Sequence, residues 1–437
     1  MFELLILIII CSLVGSVLGT LTGLIPGLHV NTVALILLMT YGTITLFLKI
    51  LSGLNGNEIA LLVAIIIVST SLTHTFVDFI PSTFLGVPEE DTALSVLPAH
   101  KLLLKGKGMK AVELSAVGSL VAVVSGLMII IPYSLILGAP GNFLTLLTNS
   151  TLYILLFLCS LLIVSETSKI NGSNFYGCTM AGLVFFSSGI LGSIVLSLPT
   201  TSPVGFRSTN LFPLFTGLFG FSNLVLSLND SSANELPIQE KLTDSEDLNT
   251  LPAVPGMLAG SLVGFLPGVS SAHAAIIAMN PWNRRKDASE ESVITTLGAV
   301  NTSNAVFVIV ALFLTNKARS GAAVAMSEVL PTITWTGILP FLLVNILIAV
   351  LVSSMVAFNI TLLLGEKISQ IITIIPYRSL TQGIIIGLIF LVIIFNGILG
   401  LMILLTSTLL GMVPPLIGVR RSHLMGVLLI PVIYYFL

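Results

Sequence analysis

Charge is scarce in this chain. Asp, Glu, Lys and Arg make up 8% of its 437 residues, against roughly a quarter in a soluble protein. The formal net charge is −2, so no basic surface for nucleic acid is expected. Cysteine is nearly absent as well. Cys11, Cys159 and Cys178 stand apart in apolar runs, without metal-ligand spacing and without redox information. The motifs of common bond-breaking chemistry are missing too. No G-x-x-x-x-G-K-[S/T], no G-x-S-x-G and no H-E-x-x-H occurs, which argues against ATP-driven transport by this chain and against the commonest hydrolases. Neither a cofactor nor a bound metal is expected.

What remains is apolar. Hydrophobic residues make up 55% of the chain and the mean hydropathy is +1.10. The composition is that of an all-α polytopic membrane protein, because only helices keep every backbone polar group satisfied across many spans in lipid. The apolar runs allow roughly 10–12 membrane passages at about 20 residues each. The start, "MFELLILIIICSLVGSVLG", lacks a basic region before its apolar stretch and reads as a retained first helix. The expected setting is the cell membrane, with the lipid bilayer as a partner. The sequence is compatible with a homodimer.

The longest polar segment, residues 229–251, carries six acids and one lysine. It reads as an exposed linker between an N-terminal transmembrane repeat, 1–228, and a C-terminal one, 252–437. Four lysines cluster in "KLLLKGKGMK" at 101–110, with Arg284–Arg285–Lys286 and Arg420–Arg421 elsewhere. The positive-inside tendency places these loops in the cytoplasm.

Two stretches break their own helices. Residues 19–35 read "GTLTGLIPGLHVNTVAL" and residues 260–276 read "GSLVGFLPGVSSAHAAI". At an offset of 241, Gly19 meets Gly260, Gly23 meets Gly264, Pro26 meets Pro267 and Gly27 meets Gly268. One copy lies on each side of the acidic linker, which points to an internal duplication, read as two inverted-topology repeats. Proline stops the first leg, and glycine lets the chain turn. The second leg then starts a helix whose first N–H groups lack partners and whose dipole favours an anion. Such paired breaks point to re-entrant hairpins at a transporter's binding site. Candidate substrate-binding residues are Gly23, Pro26, Gly27, His29, Asn31 and Thr32 in copy one. Their counterparts in copy two are Gly264, Pro267, Gly268, Ser270, Ser271 and His273. Taken alone, a Pro-Gly pair also fits a plain loop between two spans.

These hairpins resemble those of the large membrane subunit of tripartite tricarboxylate transporters. Residues 81–119 carry the likeness further, with Ser82–Thr83, Pro88, Pro98, Lys105–Gly106 and the helix opening from Glu113 to Gly118–Ser119. "VNTSNAVF" at 300–307 also has a counterpart there. The chain departs from the family at Val87–Pro88–Glu89, where the family has Ile-Pro-Gly, and at "LTNKARSGAAVAM", which lacks a Pro-Gly pair. The resemblance implies transport of small carboxylates, a small membrane subunit and a periplasmic binding protein as partners. "LPGVSSAHA" is also similar to the hairpins of small polyprenyl-phosphate translocases, which bind a lipid phosphate.

Other polar residues stand in apolar surroundings. His74 and Asp78 fall four apart on one helix face and are candidates for a proton relay, unless Asp78 merely meets water at a span end. Asn301 and Asn304, in a polar "NTSN" start to an apolar run, could bind a carboxylate or sodium, or could cap a helix at the membrane surface. Arg207 reads as a loop arginine or an anion clamp. The sequence thus reads as a secondary transporter, not an enzyme, moving an anionic substrate by alternating access. Coupling to Na+ or H+ is expected. The alternatives are a polyprenyl-phosphate translocase and, least favoured, an intramembrane enzyme built on His74 and Asp78.

Overall fold

The computed structural model describes residues 2–26, 30–52, 54–87, 92–138, 141, 143–164, 166, 173–199, 203, 209–228, 237–240, 249–266, 269–283, 289–331, 335, 337–372, 374 and 376–437. Every regular element among these residues is helical. The first six are α1 (Phe2–Leu24), α2 (Val30–Ser52), α3 (Gly56–Val77), α4 (Phe79–Phe84), α5 (Val96–Leu104) and α6 (Gly108–Leu137). There follow α7 (Phe143–Val164), α8 (Asn174–Ser197), α9 (Leu211–Phe215), a π-helical segment (Thr216–Phe221) and α10 (Ser222–Leu228). The chain continues as α11 (Ala253–Val263), α12 (Ser271–Asn283), α13 (Glu290–Thr315), α14 (Gly321–Val329) and α15 (Phe341–Ile372). It ends in α16 (Tyr377–Ile417), a 3-10 turn (Arg421–Met425) and α17 (Gly426–Phe436). Among the described residues, seven helices are long and apolar enough to cross a membrane, and four shorter apolar helices accompany them. The protein is therefore an all-α polytopic membrane protein.

The helices gather into two compact units that do not follow chain order. One comprises Met1–Ile80, Lys110–Leu146 and Leu242–Glu366, and the other comprises Pro81–Met109, Leu147–Lys241 and Lys367–Leu437. Each unit draws on both sides of the 229–251 segment.

In the first unit, α3 and α13 are the inner helices. In Gly56–Phe84, 89% of the most apolar window is buried, and in Glu290–Thr315 83%, whereas the other five candidate spans reach 28–44%. Both starts are well capped. Asn55 and Glu58 form a reciprocal box, each side chain accepting the other's backbone N–H at 3.0 Å. Ser289 accepts from Ser292 N–H at 3.2 Å, with Glu290 and Glu291 in the first turn to complement the helix dipole. The inner helices also carry the polar runs "STSLTHTFVD" and "TTLGAVNTSN". Enclosure in protein keeps those side chains away from lipid.

A ladder of glycines sets how closely the outer partners approach. Gly15, Gly19 and Gly23 of α1 meet Ser69, Thr70–Thr73 and Val77 of α3, with room for no side chain. Gly256 and Gly260 of α11, and Gly264 just after it, meet Thr296–Ala299, Val300–Ser303 and Phe307 of α13 in the same way. The glycines pair at the offset of 241, but the positions they face pair at 230, as Ser69 with Ala299, Thr73 with Ser303 and Val77 with Phe307. Backbone-close packing of this kind stands in for a hydrophobic driving force that lipid does not supply.

In the second unit, Gly189 and Gly192 of α8 lie against Ile430 and Val427 of α17, and Gly426 lies against Phe185. The π-helical segment packs on α16, with Gly217 against Ser407 and Gly411 against Leu218. α16 is two helical legs joined at Gly397, whose φ of 61° and ψ of −152° only glycine adopts readily. Part of the acidic segment is docked rather than loose. Gln239 is buried, accepts from Gly108 N–H at 2.8 Å and donates to the Leu103 carbonyl at 3.2 Å. Glu240 N–H adds a bond to the Gly106 carbonyl at 2.8 Å.

Candidate functional site

Both sequence breaks lie in the first unit. α1 ends at Leu24, Pro26 sits buried in the turn, and α2 begins at Val30. α11 ends at Val263 and tightens into a last turn through Leu266 N–H to the Val263 carbonyl at 2.8 Å, after which α12 begins at Ser271. Gly27, His29, Pro267, Gly268 and Arg207 lie outside the described residues, as do the side chains of Asn31 and Thr32 at the start of α2. Gly23 and Gly264 serve the close approach to Val77–Asp78 and to Phe307–Val308.

The start of α12 holds an unsatisfied donor. Ser270 N–H donates to His273 Nδ1 at 3.1 Å, and Ser270 Oγ lies 3.0 Å from the same nitrogen. His273 stands three residues into the turn and plays the part that Glu plays in a capping box. A nitrogen that accepts a backbone N–H carries no proton of its own, so the neutral ring carries its proton on Nε2. That Nε2 is buried and has no hydrogen-bond partner, with the residue only 3% exposed. Ser271, also buried, opens the helix beside it.

The two inner helices meet in a polar seam. Asn301 Nδ2 donates to Asp78 Oδ2 at 3.0 Å, and Thr75 and Thr302 hydroxyls lie 3.1 Å apart. All four residues are buried. His74 turns the other way, toward α1, with Nδ1 3.1 Å from Thr22 Oγ1. The Thr22 hydroxyl proton is directed to the Gly19 carbonyl at 3.1 Å, so Nδ1 is the donor to Thr22. His74 and Asp78 share a face as expected, and each reaches a long-range partner, Thr22 for His74 and Asn301 for Asp78. Asn301 and Asn304 do not cap a helix at the surface, because α13 begins at Glu290 and both lie in its middle. Asn304 occupies the position facing Gly260 that His74 occupies facing Gly19. The residue matching Thr22 at the offset of 241 is Val263, and Asn304 Oδ1 is buried without a partner.

Sequence reasoning missed Thr22, and it placed Thr75 and Thr302 in polar runs without pairing them across the two helices. It also missed a charged cluster in the second unit. Glu166 Oε2 accepts from Arg420 Nε and, at 2.8 Å, from His423 Nε2. Burial alone would raise the Glu166 carboxyl, but the hydrogen bonds from His423 and Arg420 outweigh it and hold the group below the ordinary carboxylate range. The signal was present, since Glu166 is the lone acid between Glu113 and Asp230. Nearby His100 is pushed down to about 4, first by burial and then by the charge of Arg421.

The geometry can offer an anion a helix start with a sealed imidazole N–H, and the same unit holds a seam of carboxylate, carboxamide and hydroxyl oxygens. Comparison with known proteins gives a chemical context. The model of the tripartite tricarboxylate transporter TctA family matches residues 9–426. An uncharacterized protein of Methanocaldococcus jannaschii is 30% identical over 436 residues, covering 97% of this chain and 98% of its own. No solved structure matches the chain.

Proposed function

The chain belongs to the tripartite tricarboxylate transporter TctA family, and we propose that it carries a small carboxylate across the cell membrane by alternating access. The substrate binds at the broken segments α1–α2 and α11–α12, which act as two inverted, re-entrant hairpins. One observation carries this reading: a buried, partnerless Nε2–H of His273 stands in the first turn of the interrupted α12. Left empty, a buried donor of this kind costs about 1–3 kcal/mol, a cost that a substrate carboxylate removes. The helix start adds its dipole to the same end.

The seam supplies the coupling. Asp78, Asn301, Thr75 and Thr302 are oxygen-bearing side chains of the type that holds Na+ or passes a proton. Binding a cation there offsets the substrate's charge. A small membrane subunit and a binding protein are the partners that the family's tripartite character suggests. Catalysis has no part in this reading.

Uptake of radiolabelled di- and tricarboxylates into proteoliposomes, under imposed Na+ and H+ gradients, tests the proposal. Saturable uptake driven by one gradient and lost in His273→Phe is the expected result. Absence of uptake under every gradient, with binding of a polyprenyl phosphate instead, would replace the carboxylate by a lipid carrier.

A further inference from the structure

The approach to the second break is held by three aromatic rings, two of them at positions where the first copy has none. Phe265 follows the end of α11 and stands two residues before Pro267. Phe307 lies on α13 and Tyr133 on α6. The ring centroids of Tyr133 and Phe307 are 5.2 Å apart, and those of Phe265 lie 6.1 Å from each of the other two. All three separations fall in the range of roughly 4.5–7 Å at which offset and edge-on rings attract. Phe265 and Phe307 are completely buried. Glycine makes the space, because a Cβ added at Gly126 of α6 would stand 3.2 Å from the Phe307 ring. One polar bond completes the brace. Tyr133 Oη lies 2.8 Å from Ser261 Oγ of α11. The Ser261 hydroxyl directs its own proton to the Leu258 carbonyl at 2.8 Å, so the Tyr133 hydroxyl is the donor to Ser261.

The first copy shows what this brace adds. At the offset of 241, Ser261 matches Thr20 and Phe265 matches Leu24, and at 230 Phe307 matches Val77. Leu24 and Val77 carry no ring, and Thr20 directs its hydroxyl to the Ser16 carbonyl of its own helix at 2.8 Å. The tie between outer and inner helix there is the His74–Thr22 bond. The first break forms without the rings, so the duplicated pattern does not require them. In the second copy they stand at the end of α11, and α12 packs back against α11 and α13. Ser270 and His273 follow Phe265 by five and eight residues, so a pivot at the end of α11 carries the α12 start with it. A donor serves a ligand only where packed neighbours hold it in place.

We propose that Tyr133 is a positioning residue for the substrate site. Through Ser261, Phe265 and Phe307 it fixes the end of α11, and so the place at which the α12 start offers the His273 Nε2–H. Tyr133 itself touches no substrate. The proposal rests on the carboxylate reading of that helix start. A pivoting α11 leaves only a fraction of the molecules competent to bind, which raises the apparent KM in inverse proportion and leaves the turnover of the loaded carrier alone.

Two readouts on the full chain separate this role from plain stability. One is hydrogen–deuterium exchange across residues 264–276 in detergent without substrate, and the other is the concentration dependence of carboxylate uptake into proteoliposomes. Tyr133→Phe keeps the ring and removes the bond. It should speed that exchange about threefold or more and raise KM about threefold or more, with Vmax within about twofold of wild type. Ser119→Ala is the control. It removes another bond of α6, from the Ser119 hydroxyl to the Gly298 carbonyl at 3.0 Å, about 21 Å along the helix from Tyr133. It should leave KM and the exchange of 264–276 as in wild type. An unchanged KM in Tyr133→Phe overturns the positioning role, as does an equal rise in Ser119→Ala. Should Tyr133→Phe fail to fold, Ser261→Ala removes the acceptor, keeps all three rings and is judged in the same way. Absence of uptake by the wild type overturns the carboxylate reading, and the exchange comparison then decides by itself whether Tyr133 holds the α12 start.

Discussion

Adding one methyl group at each rung of the two glycine ladders should produce a graded loss of stability that is the same in both. At Gly19 an added Cβ would lie 2.5 Å from the Thr70 carbonyl oxygen, and real Cβ atoms essentially never come closer than 3.0 Å. The helices would have to part by about 0.5 Å along a shared face, and a helix backbone cannot bend one carbonyl aside. Overpacking of this kind costs about 1–3 kcal/mol, so Gly19→Ala and Gly260→Ala should each lose roughly 2–3 kcal/mol. At Gly23 the nearest atom is Val77 Cβ at 2.9 Å, and at Gly264 it is Phe307 Cβ at 3.0 Å. A Cβ is fixed to its own backbone and cannot swing aside, but the overlap at these two rungs is about 0.1 Å or less rather than 0.5 Å, so the loss there should stay near 1 kcal/mol. Gly42 has nothing within 4 Å of an added Cβ, so Gly42→Ala should be neutral or gain up to about 1 kcal/mol from helix propensity. Unfolding in detergent, thermal or by denaturant titration, reads all five variants on one scale. A Gly260→Ala protein as stable as wild type, or a reversed order between Gly260 and Gly264, would refute the backbone-contact argument.

The polar interior and the docked segment give further expectations. Asn301→Ala should cut transport about tenfold or more, because it removes a donor from a buried carboxylate oxygen, whereas Asp78→Asn should cut coupling while sparing substrate binding; ion-gradient dependence of uptake separates the two. Acid should weaken the fold in two windows, read from melting temperature across a pH series. His100 is held down to about 4 from 6.5, so its contribution is complete above 6.5 and is lost as pH falls to about 4, some 3 kcal/mol at 1.36 kcal/mol per unit. His100→Gln should flatten that window. Glu166 is held below its ordinary 4.5, so its share is present above that value and is lost as pH falls further, and Glu166→Gln should flatten only this lower limb. Gln239→Ala should cost about 1–2 kcal/mol through the orphaned Gly108 N–H and Leu103 carbonyl. Limited proteolysis between 229 and 251 should quicken in that variant.

Composition announced the membrane, and the two Pro-Gly breaks announced where helices stop. The first leg of the duplicated pattern was legible because Gly, Gly and Pro recur at 241. The second leg was not, because the facing residues recur at 230. Most of the difference of 11 is the 10 residues by which α12, with 13, is shorter than α2, with 23. Serine matched to alanine and valine matched to phenylalanine carry no identity to align. They share only the property of lying beneath a glycine. Asn301 and Asn304 read as a helix start because the sequence from Glu290 onward is polar, and polarity alone does not reveal that the helix has begun. The Asp78–Asn301 and Glu166–His423 pairs join residues 223 and 257 positions apart, beyond any periodic signal. The segment 229–251 looked like plain linker because its charge hides one buried glutamine.

The break at Gly397 reaches beyond local geometry. α16 runs for 41 residues, about 60 Å at 1.5 Å per residue, twice the hydrocarbon thickness of a bilayer. Gly397 divides it into legs of 20 residues, Tyr377–Asn396 and Ile398–Ile417, each a full membrane thickness on its own. During synthesis the insertion machinery meets two hydrophobic signals with no charged residue between them to mark the join. Were each leg to cross on its own, this one backbone conformation would do the work usually left to a loop, and the parity of the crossings before Ile417 would turn on it.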